Sequence, residues 1–137
     1  DRLQFPFFDG DDFHPEANVK KMKAGHPLND DDRQGWLEKL NEVAIENLAT
    51  GAVIVCSSLK KKYRTILSKN LEDKHKFVYL EGSFDLIDKR LSARKNHYMP
   101  AGLLQSQFDI LEAPLEAITV SIDQEPNDIV NDIMRKL

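Results

Sequence analysis

An α/β domain built on a mostly parallel sheet is what this sequence predicts, and three observations carry the prediction. Short continuous apolar runs alternate along the chain with longer segments of helical periodicity. Proline or an N-cap residue opens several of the helical segments, and Gly25 and Gly51 close two of them. A helical segment separates each apolar run from the next, so the strands must be joined by crossovers, which are right-handed in parallel sheets.

Phe5-Pro6-Phe7-Phe8 is the first strand, and its unbroken apolar character predicts burial on both faces. Pro15 opens a helix carrying Val19 and Met22, which Gly25 ends. Asn29 or Asp30 caps the next helix, whose inner face is Trp36, Leu37, Leu40, Val43, Ala44 and Leu48. Ala52-Val53-Ile54-Val55-Cys56 is the second strand. A basic helix follows at about 60–69, with Tyr63, Ile66 and Leu67 inward. Phe77-Val78-Tyr79-Leu80 is the third strand, and the helix at about 83–95 turns Phe84, Ile87 and Leu91 inward. After a loop at 96–99, Pro100 opens a short helix through Phe108. Ile118-Thr119-Val120-Ser121-Ile122 is the fourth strand. Pro126 opens the last helix, with Ile129, Val130, Ile133 and Met134 inward.

At 137 residues, 41% apolar and 31% charged, the chain fits one soluble globular domain, 1–137. A net charge of −4 argues against a nucleic-acid partner. No apolar run approaches the roughly 18 residues of a membrane helix, and no signal-peptide pattern occurs. The lone Cys56 allows no disulfide within the chain, so a reducing, cytoplasmic setting is expected.

Ligands of parallel α/β sheets bind beyond the carboxyl ends of the strands. The four exits carry Asp9-Gly10-Asp11, Ser57-Ser58-Leu59-Lys60, Glu81-Gly82-Ser83 and Asp123-Gln124, which predicts one polar cleft along a sheet edge. The first exit stands out: acids at the end of a buried strand are costly unless they bind a cation or a polyhydroxylated substrate. Asp9 and Asp11, two apart in extended chain, would point the same way. One could then orient a metal-bound water while the other takes a hydroxyl proton. An Asx turn leading into a helix cap explains the same residues equally well.

Asp30, Asp31 and Asp32 suit a helix first turn. Arg33 does not, because the helix dipole disfavours a cation there. It either pairs with its acidic neighbours or reaches a carboxylate ligand, for which its fork is well shaped. Lys60 and Arg64, four apart, either belong to a solvated basic face or converge on an anionic substrate. Arg90 and Arg94 either lie on an exposed helix face or close with the following loop over phosphates. His14 and His97 carry no zinc-site spacing, and no Gly-x-Ser-x-Gly or Gly-x-Gly-x-x-Gly motif is present.

Taken together, these segments resemble the gluconokinase family, small sugar-acid kinases similar in fold to shikimate kinase and the nucleoside monophosphate kinases. The matching stretches begin with Phe-Asp-Gly-Asp-Asp-Phe-His-Pro-Glu-Ala-Asn at 8–18, then Lys21-Met22, Gly-His-Pro-Leu-Asn-Asp-Asp-Asp-Arg at 25–33 and Trp36-Leu37. They continue with Val-Cys-Ser-Ser-Leu-Lys-Lys at 55–61, Tyr63-Arg64, Gly82-Ser83-Phe84, Arg90-Leu91, Arg94 and His97-Tyr98-Met99-Pro100. Leu-Leu-Gln-Ser-Gln-Phe at 103–108 and Leu111-Glu112 close the match. Ser58 stands where the pattern has Ala.

The resemblance implies a P-loop NTPase fold, a three-layer α/β sandwich of strand order 2-3-1-4-5. It implies transfer of the ATP γ-phosphoryl group to the 6-hydroxyl of D-gluconate with Mg²⁺, a step in gluconate catabolism that feeds the pentose phosphate pathway. Asp11 would orient or deprotonate the attacking hydroxyl, and Asp9 would help hold the Mg²⁺ water shell. Arg33, with His14, Lys60 and Arg64, would grip the sugar acid. Arg90, Arg94 and His97 would border ATP and a lid at about 94–100, and Asp123 and Gln124 would line the adenine pocket. Relatives of this type are often homodimers. Another small sugar acid or a polyol is the alternative acceptor.

The family also begins with a strand, a Gly-x-x-x-x-Gly-Lys-Ser/Thr loop and a helix. None of the six glycines (10, 25, 35, 51, 82 and 102) builds that loop. The chain opens Asp1-Arg2-Leu3-Gln4, like the end of that helix, so a preceding segment of roughly 20 to 30 residues is expected. Its strand, strand 1 of the order, would lie between 52–56 and 77–80. Without it the expectation is poor grip on ATP phosphates and no catalysis, or a non-catalytic ligand-binding remnant.

Overall fold

The computed structural model describes residues 2–94 and 101–137. The element order is β1 (Phe7–Asp9), a 3₁₀ turn (Gly10–Phe13), α1 (Glu16–Lys23), α2 (Asp30–Glu46), β2 (Val53–Val55), α3 (Lys61–Leu67), β3 (Val78–Glu81), α4 (Phe84–Ala93), α5 (Ala101–Ile110), β4 (Ile118–Ser121) and α6 (Pro126–Lys136). The chain gathers into two compact units, Asp1–His75 and Lys76–Leu137.

In the first unit β1 pairs with β2 in parallel, Phe8 opposite Ile54 and Asp9 opposite Val55. The ladder continues through the Val53 N–H, which donates to the Pro6 carbonyl at 2.9 Å. In the second unit β3 pairs with β4 in parallel, Leu80 opposite Val120. These are the neighbours expected when β1 to β4 hold places 2, 3, 4 and 5 of the order 2-3-1-4-5.

The core of the first unit lies between α2 and α3. Trp36, Leu37 and Leu40 are buried from one side, and Tyr63 and Leu67 from the other. Local chemistry sets α2: Asn29 Oδ1 accepts from the Asp32 N–H while the Asp32 carboxylate accepts from the Asn29 N–H, a reciprocal cap. A buried amide joins the two helices, for Asn41 Nδ2 donates to the Leu67 and Lys69 carbonyls at 2.8 and 2.9 Å. The Leu67 carbonyl closes α3 and the Lys69 carbonyl lies just past its C-cap, where the helix offers no donors of its own. In the second unit Phe84 and Phe108 meet edge to face, 5.4 Å apart, joining α4 to α5. Ser83 caps α4 by accepting the Leu86 N–H at 3.2 Å.

Several expectations are corrected. The first strand is not buried on both faces: it lies at Phe7–Asp9, and Phe7 is 64% exposed. Val55, on the same sheet face, is 51% exposed. A two-stranded sheet presents each strand with one bonded edge, and no described element covers this face. The acids that follow the strand are exposed as well, so no buried-charge penalty demands a ligand there. Leu48 does not join the inner face of α2, because the helix ends at Glu46 and Leu48 sits in the turn that follows. The basic helix is shorter than 60–69, with Lys60 as its N-cap and Ser68 as its C-cap.

Gly10 shows how tightly the β1 exit is held. A Cβ there would lie 2.6 Å from the Val55 carbonyl oxygen and 2.8 Å from Cys56 Cβ, so the β1 exit lies against β2 only because Gly10 has no side chain. Gly10→Ala is therefore expected to lower stability by about 1–3 kcal/mol through overpacking, measured by chemical denaturation.

Candidate active site

The β1 exit is an Asx turn. Asp9 Oδ1 accepts the Asp11 N–H at 3.0 Å, and the chain turns into the 3₁₀ segment at once. The extended geometry that would aim Asp9 and Asp11 the same way is thus replaced. Capping a turn takes one oxygen of Asp9 and none of the Asp11 carboxylate. Trp36 fixes this turn from below, its Nε1 donating to the Gly10 carbonyl at 2.7 Å. The indole also stacks on His14, ring centroids 4.0 Å apart.

Asn18, buried on α1, orients His14. Its Nδ2 donates to the Asp32 carbonyl at 2.8 Å, which settles the amide orientation, and the same nitrogen reaches His14 Nδ1 at 3.3 Å. An amide NH₂ can only donate, so Nδ1 accepts and the neutral ring carries its proton on Nε2. Burial lowers the His14 pKa, the Asp11 charge raises it and the Arg33 charge lowers it further. Asp11, His14 and Arg33 therefore share one neighbourhood. With the folded pKa below the unfolded one, the unfolded chain binds the proton more readily, and stability falls as pH drops through about 6.5. The protein is thus expected to lose more stability between pH 7 and 5 than its His14→Gln variant does, read from denaturant midpoints.

Arg33 is 5% exposed. Its Nη1 donates to Tyr63 Oη at 3.0 Å, and its guanidinium carbon lies 5.3 Å from the Tyr63 ring centroid. The Tyr63 hydroxyl in turn donates to Asp30. Burial, and then the bond to Asp30, push the Tyr63 pKa up, so the phenol keeps its proton. The nearby acids are engaged elsewhere. Asp30 holds Lys62, and Lys60 at 3.1 Å; Lys62 first, then Tyr63 and Lys60, press its pKa well below the usual carboxylate range. Asp32 holds Lys21 at 2.6 Å, which lowers its pKa. Among the described residues Arg33 makes no ion pair with a carboxylate.

Lys60 and Arg64 do not converge. Lys60 precedes the helix and turns to Asp30, whereas Arg64 Nη1 donates to the Ser58 carbonyl at 2.7 Å. Arg64 thereby braces the β2 exit, where Cys56 Sγ lies 3.0 Å from Ser58 Oγ. Burial, opposed by the Ser58 bond and aided by the Asp11 charge, pushes the Cys56 thiol up in pKa, away from the reactive thiolate form.

In the second unit Arg90 Nη2 donates to the Gln124 carbonyl at 2.9 Å, and Gln124 Nε2 returns to the Ser121 carbonyl at 2.8 Å. The Asp123 N–H donates to Ser121 Oγ at 3.1 Å, and Asp123 is exposed. Arg94 is the exposed C-cap of α4. His97 and residues 95–100 of the loop read as a lid lie outside the described residues. No group of three or more His, Cys, Asp or Glu gathers as a metal site among the described residues. Sequence reasoning passed over Asn18, Asp30 and Tyr63 as site residues. A polar residue on a helix inner face, such as Asn18 or the Tyr63 hydroxyl, was the available signal.

A family model described as shikimate kinase matches residues 1–136. The probable gluconokinase of Schizosaccharomyces pombe is 40% identical over 151 residues, covering 100% of this chain and 78% of the relative. The thermoresistant gluconokinase of Escherichia coli is 43% identical over 135 residues, covering 94% of this chain and 77% of the relative. The crystal structure of a gluconokinase from Sinorhizobium meliloti superposes with a TM-score of 0.85 at 36% identity, covering 98% of this chain and 77% of that one. The parallel pairings, the strand-exit acids and this agreement in sequence and structure place the chain in the gluconokinase family, on the shikimate-kinase-like P-loop kinase fold.

Proposed function

We propose that the protein transfers the γ-phosphoryl group of ATP to the 6-hydroxyl of D-gluconate, forming 6-phospho-D-gluconate and ADP. The observation that carries this reading is Arg33: a buried guanidinium with a phenol for its partner, beside His14 and Asp11, in a chain similar throughout to gluconokinases. A buried cation of this kind is stabilised by an anionic ligand, and its fork fits a carboxylate.

Asp11 accepts or orients the 6-hydroxyl proton as the oxygen attacks. His14, neutral with Nε2–H outward of its Asn18 bond, donates to a sugar hydroxyl. Arg33 binds the carboxylate. Lys60 and Arg64 act from behind, the first by neutralising Asp30 and the second by bracing the Ser58 loop. Arg90, Arg94, His97, Asp123 and Gln124 are assigned to the nucleotide side. Phosphoryl transfer needs positioning and charge compensation more than covalent chemistry, which suits this set.

Mg²⁺ fits the residues present. The ion keeps most of its waters and takes one or two carboxylates plus phosphate oxygens, so a cage of three ligands is not required. Asp9 keeps one carboxylate oxygen outside its turn bond and would hold the ion through water. When bound, the ion offsets charge on the phosphate oxygens. The setting we infer is cytoplasmic. Among the described residues no helix is long and apolar enough to cross a membrane.

The test is a coupled ADP-release assay of the full-length protein over a panel of sugar acids and polyols. Fastest turnover on D-gluconate supports the reading. A preference for another sugar acid or a polyol replaces the acceptor, and no turnover on any removes the kinase assignment.

A further inference from the structure

Tyr63 is 1% exposed, yet its hydroxyl is engaged on both sides, accepting from Arg33 at 3.0 Å and donating to Asp30. A phenol placed between a guanidinium and a carboxylate keeps the two ions apart. Were Asp30 to meet Arg33 directly, the pair would close a bidentate ion pair and the guanidinium would have little left for a ligand. Asp30 is drawn the other way by Lys60 and Lys62, both from the start of α3, the helix that carries Tyr63. Lys60 also lies 5.7 Å from the Tyr63 ring centroid, on the ring that faces Arg33.

Resting on the reading of Arg33 as the acceptor-carboxylate ligand, we infer that Tyr63 is a positioning residue for the acceptor. Its hydroxyl aims the Arg33 guanidinium and holds Asp30 off it, so that the cation stays available to the sugar acid. Tyr63 touches neither substrate nor phosphate, and its influence passes through Arg33.

Two features follow from that route. Loss of the hydroxyl affects acceptor binding and spares the chemical step, because Asp11 is held by a different turn, fixed by Trp36. The effect also vanishes when Arg33 is no longer an arginine.

The experiment is a double-mutant cycle on the full-length enzyme with Tyr63→Phe, Arg33→Lys and the pair, measuring KM for gluconate, KM for ATP and kcat. Tyr63→Phe keeps the buried ring and removes one hydroxyl. It is expected to raise the gluconate KM about 3- to 10-fold, the net worth of one typical hydrogen bond, with kcat and the ATP KM unchanged. In the Arg33→Lys background the same change is expected to leave the gluconate KM where Arg33→Lys put it. A raised KM for Arg33→Lys with an unchanged KM for Tyr63→Phe overturns the positioning role alone. Strictly multiplicative effects of the two changes also overturn it. An unchanged KM for Arg33→Lys removes the carboxylate reading and this inference with it. A lower melting temperature for Tyr63→Phe with unchanged kinetics shows a packing role and overturns the inference too.

Discussion

Asp11→Asn is expected to reduce turnover of gluconate by about 10²- to 10⁴-fold, the usual worth of a positioned general base. Asparagine keeps the size of the side chain and one acceptor oxygen. The Asx turn at Asp9 is held through the Asp11 backbone N–H, so the variant leaves that turn in place. What changes is the capacity to take a proton and to orient a hydroxyl by charge. The expected kinetic signature is a fall in kcat with little change in either KM. Pre-steady-state ADP release separates this from slow product release. Near-normal kcat would remove Asp11 from the reaction, and the Asx-turn chemistry of this exit would then be its whole explanation.

Arg33→Lys is expected to raise the gluconate KM by roughly 10- to 100-fold while leaving the ATP KM alone. Hydrogen bonds to charged groups contribute about 1.5–3 kcal/mol, and every 1.4 kcal/mol is a factor of ten. Lysine preserves the charge but loses the planar fork and the bond from Nη1 to Tyr63. Its ammonium is also the more strongly hydrated ion, which makes the buried position costlier. Steady-state kinetics with each substrate varied in turn decides the matter. A selective rise in the ATP KM would exchange the roles assigned to the two sets of residues.

Much of the fold was legible because its signals are local. The apolar runs, the Asn29 cap and the proline starts depend on neighbours within about four residues, and each element appears within a few residues of its expected place. Burial of the strands was not legible. A continuous apolar run predicts cover on both faces, yet Phe7 and Val55 lie exposed, since cover depends on what else packs there and not on the run itself. The candidate site divides the same way. Asp9, Asp11 and Arg33 stood out by residue type and place, but the two readings open for each could not be separated by spacing.

What the sequence determined by itself was the alternation of strands and helices, the caps, and the collection of acids and guanidinium groups at the strand exits. What only the tertiary structure decided was which charge answers which. Asp30 and Asp32, within three residues of Arg33 in sequence, are claimed by Lys60, Lys62 and Lys21 from elsewhere in the chain, and Tyr63 stands between Arg33 and Asp30. Helix caps arise from short-range hydrogen bonds that a chain segment carries with it. Which charges pair, and how far Arg33 is desolvated, is set by distance through space, which exists only after α1, α2 and α3 have packed.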